Sequence, residues 1–283
     1  MVIDPADIKS PITERRIPWQ VAVGIGVLVL AALVNIPLVN HILGPYWSLF
    51  IYDACVIASA LAAAILSTRL WRVYERGETL SLVWGSMAVG LILWATGEII
   101  WSYDQIWGGM SLPYPSLADF LWIIGYVPII WALVNRYRTF RVKLSRWWQF
   151  AVLAIYVVVL FTVIIFILYP IFFTDLEAVS VFEKIVNLIY PIGDLIVAFL
   201  ATMLVMVLIG GVLFSSWGLI AVGFLFAAIS DLIYAWTVWQ GTYHVIPTLG
   251  IDISSFITNL LYVAFYVLVA IGLFKQASMV KAV

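Results

Sequence analysis

Charge is scarce in this chain. Of 283 residues, 10% are Asp, Glu, Lys or Arg and 65% are hydrophobic; a soluble domain carries roughly 25% charged residues. So small a charged fraction cannot cover a water-facing surface. A lipid-facing one needs apolar side chains outward, on helices that satisfy their own backbone. The formal net charge is −1, which leaves no electrostatic case for nucleic acid as a partner. Cysteine is reduced to Cys55, inside an apolar run, which excludes an internal disulfide and a cysteine-based metal cluster. The two histidines, His41 and His244, are both expected near the outer surface. That excludes paired imidazole ligation of a buried haem, and intramembrane metal hydrolases with several His ligands. No lysine falls mid-helix, so a retinal Schiff base has no residue to form on. The sequence therefore predicts no cofactor, no metal and no catalytic residue.

What the chain has in abundance is apolar length. A spanning helix needs about 20 apolar residues, and eight runs qualify: 17–40, 47–70, 79–102, 116–135, 147–169, 184–209, 213–239 and 251–274. The first follows a polar segment holding Asp4, Asp7, Lys9, Glu14, Arg15 and Arg16; it is too long for a secretory signal and reads as a retained helix. Connections are short, the longest being 103–115 and 170–183. Basic residues orient the helices. Lys9, Arg15, Arg16, Arg69, Arg72, Arg76, Arg136, Arg138, Arg141, Lys143, Arg146, Lys275 and Lys281 share one side; Lys184 stands alone on the other, beside Asp175, Glu177 and Glu183. Both termini are accordingly expected in the cytoplasm, in the cell membrane.

Self-comparison shows an internal repeat. Trp84-Gly85-Ser86-Met87-Ala88-Val89-Gly90 matches Trp217-Gly218-Leu219-Ile220-Ala221-Val222-Gly223 without a gap. Carried forward, Glu98 meets Asp231, Trp101 meets Tyr234 and Gly108 meets Gly241. Asp119-Phe120-Leu121-Trp122 lies over Asn259-Leu260-Leu261-Tyr262, Tyr126 over Tyr266, and Asp53 over Asp194. The changes of offset fall in loops. Each half contributes four helices, an even number, so the halves are parallel and their pseudo-twofold axis runs along the membrane normal, as in some transporters. The expected fold is all-α and polytopic, about eight transmembrane helices as two parallel four-helix repeats. Residues 1–16 form a cytoplasmic segment, 17–143 and 144–275 the repeats, and 276–283 a cytoplasmic tail.

Charged side chains inside a span cost about 2.5–3.5 kcal/mol on insertion scales. The chain nonetheless keeps Asp53, Glu98, Asp119, Asp194 and Asp231 within or just inside spans, with Asn259 in the sixth equivalent place. All fall toward the outer half of the bilayer, where Lys184 is the one basic residue, and at the rim. Acids brought together there cannot all ionise in a low dielectric; they hold protons, a cation, or hydrogen bonds from aromatic residues and backbone. Trp101, Trp122, Tyr126, Tyr234 and Tyr262, with Tyr52, Trp94 and Tyr190, lie close to them in sequence. An aromatic box with carboxylates suits an organic cation.

Structural readings compete with this one. Asp119 follows Pro113-Tyr114-Pro115-Ser116 and suits the first turn of a helix, where the dipole favours an acid. Asp53 and Asp252 admit the same reading, and Trp and Tyr at this depth form the ordinary interfacial belt. Glu98, Asp194 and Asp231 lie too far inside their helices for that. Tyr52-Asp53 and Pro191-Ile192-Gly193-Asp194 are similar to the Tyr-Asp and Gly-x-Gly-Asp pair of intramembrane aspartyl proteases, whose two carboxylates share a proton around a water. Here Pro191 replaces the first glycine, no Pro-Ala-Leu segment follows, and three spans separate the two helices.

The stretch Gly97-Glu98-Ile99-Ile100-Trp101-Ser102-Tyr103, then Pro113-Tyr114-Pro115-Ser116-Leu117-Ala118-Asp119-Phe120-Leu121-Trp122 and Gly125-Tyr126, resembles a multi-pass membrane region of bacterial and archaeal signalling proteins. There it precedes diguanylate cyclase, PAS or histidine kinase modules, and related regions occur alone. The shared motif is an acid, an aromatic, an outer loop and Pro-Ser-x-Ala-Asp. The resemblance is specific over 94–133 and weaker elsewhere. It implies a prokaryotic membrane sensor or partner-binding module of unknown ligand. Only 275–283 follow the last span, so output is expected to pass through a separate protein.

The expected function is therefore that of a non-enzymatic integral membrane protein, sensor-like or accessory, with an outward-facing acidic and aromatic pocket. Its partners would be lipids and other membrane subunits or a signalling output protein. Small residues such as Ala58-Ser59-Ala60 and Ala62-Ala63-Ala64 permit close helix packing, internal or with a partner. An ion-coupled carrier using the acids between the repeats is the alternative, and an aspartyl hydrolase the third.

Overall fold

A computed structural model of the chain describes residues 18–107, 114–140, 144–173, 180–211, 213–244 and 253–281. The predicted N-terminal segment, Gly108, Pro113 and Asp252 lie outside the described residues. Ten α-helices are present among them: α1 (Trp19–Val34), α2 (Pro37–Leu43), α3 (Pro45–Trp71), α4 (Thr79–Trp107), α5 (Leu117–Arg138), α6 (Arg146–Val163), α7 (Tyr169–Phe173), α8 (Val181–Leu208), α9 (Phe214–Trp239) and α10 (Ile253–Lys281). Seven are long and apolar enough to cross a bilayer, α6 being extended by a π-turn at Ile164–Leu168; α1 and α2 together make an eighth if a bent pair counts as one span. The protein is all-α and a multi-pass membrane protein.

Local chemistry explains the ends. Ser116 and Ser180 open α5 and α8 with reciprocal capping boxes to Asp119 and Glu183, which satisfy otherwise orphaned backbone N–H groups. Pro37 and Pro45 occupy first-turn positions, where the missing N–H has no partner to lose. Gly44 links α2 to α3 at φ 83°, a left-handed conformation that an L side chain strains to adopt.

The first span differs from the straight helix expected over 17–40. α1 and α2 meet at 83°. Pro37 has no N–H to continue the ladder, and it drives Ile36 into an extended conformation (φ −85°, ψ 125°). The Asn35 amide holds the turn by donating to the Ala31 carbonyl at 2.8 Å. Pro170 likewise follows the π-turn that ends the α6 span.

Among the described residues, α3, α4, α5, α8, α9 and α10 close a ring, each packed on the next and α10 returning to α3; α1 lies against α10 and α3, and α6 lies outside against α8. The ring reads as two triplets, α3–α5 and α8–α10, with seams at α5/α8 and α10/α3. Within each triplet the middle helix packs closely on the last through a glycine. A Cβ on Gly90 would stand 3.1 Å from the Gly125 carbonyl of α5, and one on Gly223 would stand 2.9 Å from the Phe265 carbonyl of α10. Glycine at these positions lets backbones approach.

The end of the ring that carries Arg69, Arg72, Arg76 and Arg136 is closed. Trp84 and Trp217 stack there with centroids 4.7 Å apart, among fully buried Leu70, Met87, Leu133, Leu204 and Ile220. The buried Arg136 guanidinium lies 4.7 Å over the Trp217 ring and 4.6 Å over Phe140, so aromatic faces balance a cation drawn into an apolar layer.

Candidate functional site

At the other end the triplets part around a cavity of about 650 Å³, in the range that accommodates a small organic molecule. Its wall comes from the beginnings of α3, α5, α8 and α10 and the ends of α4 and α9. Ten of the eleven predicted residues line it: Asp53, Glu98, Trp101, Asp119, Trp122, Tyr126, Asp231, Tyr234, Asn259 and Tyr262. Asp194 does not. The lining residues include no Lys, Arg or His.

Glu98, 3% exposed, is held by a converging set of donors. Its Oε1 accepts from the Tyr262 hydroxyl at 2.5 Å, the Tyr266 hydroxyl at 2.8 Å and the Trp122 indole N–H at 3.2 Å. Two of these come from α10 and one from α5, so the carboxyl joins α4 to both neighbours. Gly97 makes room for this: a Cβ there would stand 2.7 Å from the Trp122 indole nitrogen.

Asp119 is committed structurally. One oxygen accepts from the Ser116 backbone N–H at 2.6 Å and its hydroxyl at 2.7 Å; the other accepts from the Tyr190 hydroxyl of α8 at 2.8 Å. The first-turn reading of this residue thus describes its geometry, with a bond across the α5/α8 seam added. Tyr114 crosses the same seam, donating to Asn187 Oδ1. Burial, and then the nearby Asp119 carboxyl, push the Tyr114 phenol above its ordinary value, which keeps it a donor.

The opposite seam is built around Asn259. Its amide nitrogen donates to Asn35 Oδ1 at 2.7 Å, its Oδ1 accepts from the Tyr243 hydroxyl at 2.8 Å, and its carbonyl accepts from the Tyr52 hydroxyl at 3.3 Å. An amide suits this place because it donates to one side and accepts from the other.

Asp194 sits behind the wall. Its Oδ1 accepts from the Tyr126 hydroxyl at 2.5 Å, and its Oδ2 has no hydrogen-bond partner among the described residues. The Tyr126 ring lies between it and the cavity, against Gly193, where a Cβ would meet the ring at 3.0 Å. Asp53 is 4% exposed yet forms part of the wall. Ser102 lines the same wall, and Asp53 Oδ2 has no partner among the described residues. Asp53 and Asp194 lie on α3 and α8, across the ring from one another, and share no hydrogen bond among the described residues; a proton-sharing dyad is not assembled. Asp231 lines the wall from α9, half-buried.

Aromatic rings supply most of the remaining surface. Trp101 stands 5.8 Å from Trp122, and Tyr234 meets Tyr243 edge-on at 4.7 Å. Trp94 forms a floor with Tyr126 at 5.3 Å, Phe265 at 5.7 Å and Phe224 at 6.2 Å. Below it come Leu91, Met87 and the paired tryptophans, which fill the ring toward the arginine-bearing end. No group of three or more His, Cys, Asp or Glu among the described residues is placed to hold a metal ion.

Several participants escaped the sequence reading as site residues: Tyr243, Tyr266, Ser102, Gln105 and Asn187. Tyr266 was detectable as the residue that self-comparison lays under Tyr126. Ser102, Gln105 and Asn187 had no signal beyond lying one or two helical turns from an acid, and Tyr243, beyond the end of α9, had none. Comparison with known protein families, curated proteins and solved structures finds no match to this chain.

Proposed function

We propose that this membrane protein is a non-enzymatic, sensor-like or accessory subunit that binds a ligand in its acidic and aromatic cavity. The observation that carries this reading is the cavity itself, with its acidic and aromatic wall and packed floor. Glu98, Asp119 and Asn259 in its wall are held by cross-helix hydrogen bonds, and layers of buried aromatic and aliphatic side chains fill the ring beneath it. Such a wall suits a retained molecule, and the packed layer beneath it supports a binding site over a passage. The acids are dispersed around the wall, and the two carboxyls that a hydrolytic dyad would pair lie on opposite sides of the ring. The resemblance around Glu98 and Pro113-Tyr114-Pro115-Ser116-Leu117-Ala118-Asp119 supports a sensory role and a separate output partner in a prokaryotic membrane.

The two triplets are read as halves of a parallel duplication. Support comes from the contact between the matched residues Trp84 and Trp217, and from glycine approaches at matched positions in both halves. The cavity mouth then faces outward, because the basic residues gather at the closed end. A carrier is the second reading, favoured by one observation: both halves share the cavity wall.

Cysteine accessibility tests the binding reading. With Cys55→Ser as background, Ser102→Cys should react with a membrane-impermeant methanethiosulfonate added from outside, and not from the cytoplasm. Absence of reaction from either side would mean the cavity is not a water-accessible site. Solute flux in liposomes abolished by Asp194→Asn would favour the carrier.

A further inference from the structure

The identity of the occupant can be narrowed by asking which polar groups in the wall lack a partner. Glu98 already accepts three hydrogen bonds on one oxygen. Asp119 has donors on both oxygens. Asn259 is engaged on three sides. Asp53 differs: it is more than nine-tenths buried, it belongs to the wall, and its Oδ2, like Gln105 Oε1 in the same wall, has no hydrogen-bond partner among the described residues. A carboxylate buried with no basic partner is costly in a low dielectric, and a cation in the adjoining cavity would balance its charge. Asp231 contributes a second acid from α9.

The wall offers no cationic side chain to an anionic ligand, and the carboxylates would repel one. A bare divalent ion needs several oxygens at short range, and the described acids and histidines nowhere converge in threes. Around the acids stand the faces and edges of Trp101, Trp122, Tyr234 and Tyr262. Aromatic faces attract cations that shed water easily, and quaternary or substituted ammonium groups do so far more readily than metal ions.

We propose that the cavity is an organic-ammonium site, in which Asp53 and Asp231 supply the countercharge and the Trp101, Trp122, Tyr234 and Tyr262 rings receive the alkyl or aryl body. This rests on the cavity being a ligand site, as proposed above. The ammonium group belongs either to a soluble amine or to a lipid headgroup reaching in at the mouth.

The test uses the full chain in nanodiscs of phosphatidylglycerol, which has no amine headgroup. Calorimetric titrations compare choline, benzyl-(2-hydroxyethyl)dimethylammonium and 3,3-dimethylbutan-1-ol, the uncharged carbon analogue of choline. Both ammonium ions should bind, the benzyl compound more tightly. The alcohol should bind at least about tenfold more weakly than choline, since about 1.4 kcal/mol of cation–π and charge attraction is then missing. Asp53→Asn and Asp231→Asn should each weaken choline by about tenfold without lowering the melting temperature. Equal binding of choline and the alcohol, wild-type affinity in both variants, or no binding of either ammonium ion would overturn the proposal. If Ser102→Cys is labelled in those circumstances, the cavity still stands as a site for another ligand; if it is not labelled, the cavity reading falls as well. Repeating the choline titration in phosphatidylcholine nanodiscs separates the sources. Weaker apparent affinity there assigns the site to a headgroup, and unchanged affinity assigns it to a soluble ammonium ion.

Discussion

Trp84 and Trp217 stack with their ring centroids 4.7 Å apart and their planes tilted by 36°, and they are the two residues that head the matched segments of the sequence. The contact ties α4 to α9 through their side chains, at the arginine-bearing end of the ring. Both indole N–H groups there are buried without a partner among the described residues, so packing holds the pair.

Truncation should consequently be expensive. Trp84→Ala and Trp217→Ala are each expected to lower unfolding free energy by about 3–5 kcal/mol, because a large cavity opens where little can collapse. The double variant should lose less than the sum, with a coupling of about 0.5–1.5 kcal/mol from the ring pair. Denaturant unfolding of the purified protein in detergent measures both quantities. Strict additivity would show that the rings do not act on each other.

Glu98 gives a second prediction. Tyr262→Phe and Tyr266→Phe each remove one donor of several and should cost about 1–2 kcal/mol. Glu98→Ala strands three donors at once, two hydroxyls and an indole N–H, and should cost clearly more than either. Glu98→Gln keeps an acceptor oxygen and should fall between them. Melting temperatures of the four variants order them, and a Glu98→Ala protein as stable as the wild type would contradict the hydrogen-bonded geometry.

Ser116 and Asp53 should separate stability from binding. Ser116→Ala removes half of a capping box and should cost about 1 kcal/mol while leaving choline affinity unaltered. Asp53→Asn should do the reverse, because it removes a buried oxygen that lacks a partner and costs the empty protein free energy. Parallel melting and titration of the two variants shows whether the effects cross over in this way.

Topology is checked independently. Reporter fusions after Lys143 and Lys281 should report the cytoplasm, and one at Gly109 the outside, as the concentration of basic residues on one side requires. A cytoplasmic signal at Gly109 would reverse the direction in which the cavity opens.

The spans were readable in the sequence because hydropathy integrates over a whole helix, and 20 apolar residues leave little choice of structure. The break at Asn35 and Ile36 was not, since one proline in an apolar run barely alters that sum while it removes a backbone donor. The acids were readable too: the cost of placing them in lipid turns any intramembrane carboxyl inward, and ten of eleven named residues meet around one cavity. Their partners were hidden. Fourteen tyrosines are spread along the chain, and which of them reaches Glu98, Asp119 or Asp194 depends on the rotation of a neighbouring helix, not on spacing along its own. Asp194 shows the limit well, being buried against the Tyr126 hydroxyl and absent from the cavity wall.

The stacked tryptophans also set a lever. Trp84 and Trp101 are separated along α4 by about 25 Å at 1.5 Å per residue. A tilt of about 5° of one triplet against the other, pivoting at that contact, shifts the mouth by about 2 Å. That is enough to part Tyr190 from Asp119 and Tyr52 from Asn259, while helix ends near the fulcrum hardly translate. Small angular motions would thus register chiefly as the making and breaking of tyrosine bonds at the seams. At the opposite pole the same motion would be felt mainly as a turning of the Trp217 ring beneath Arg136.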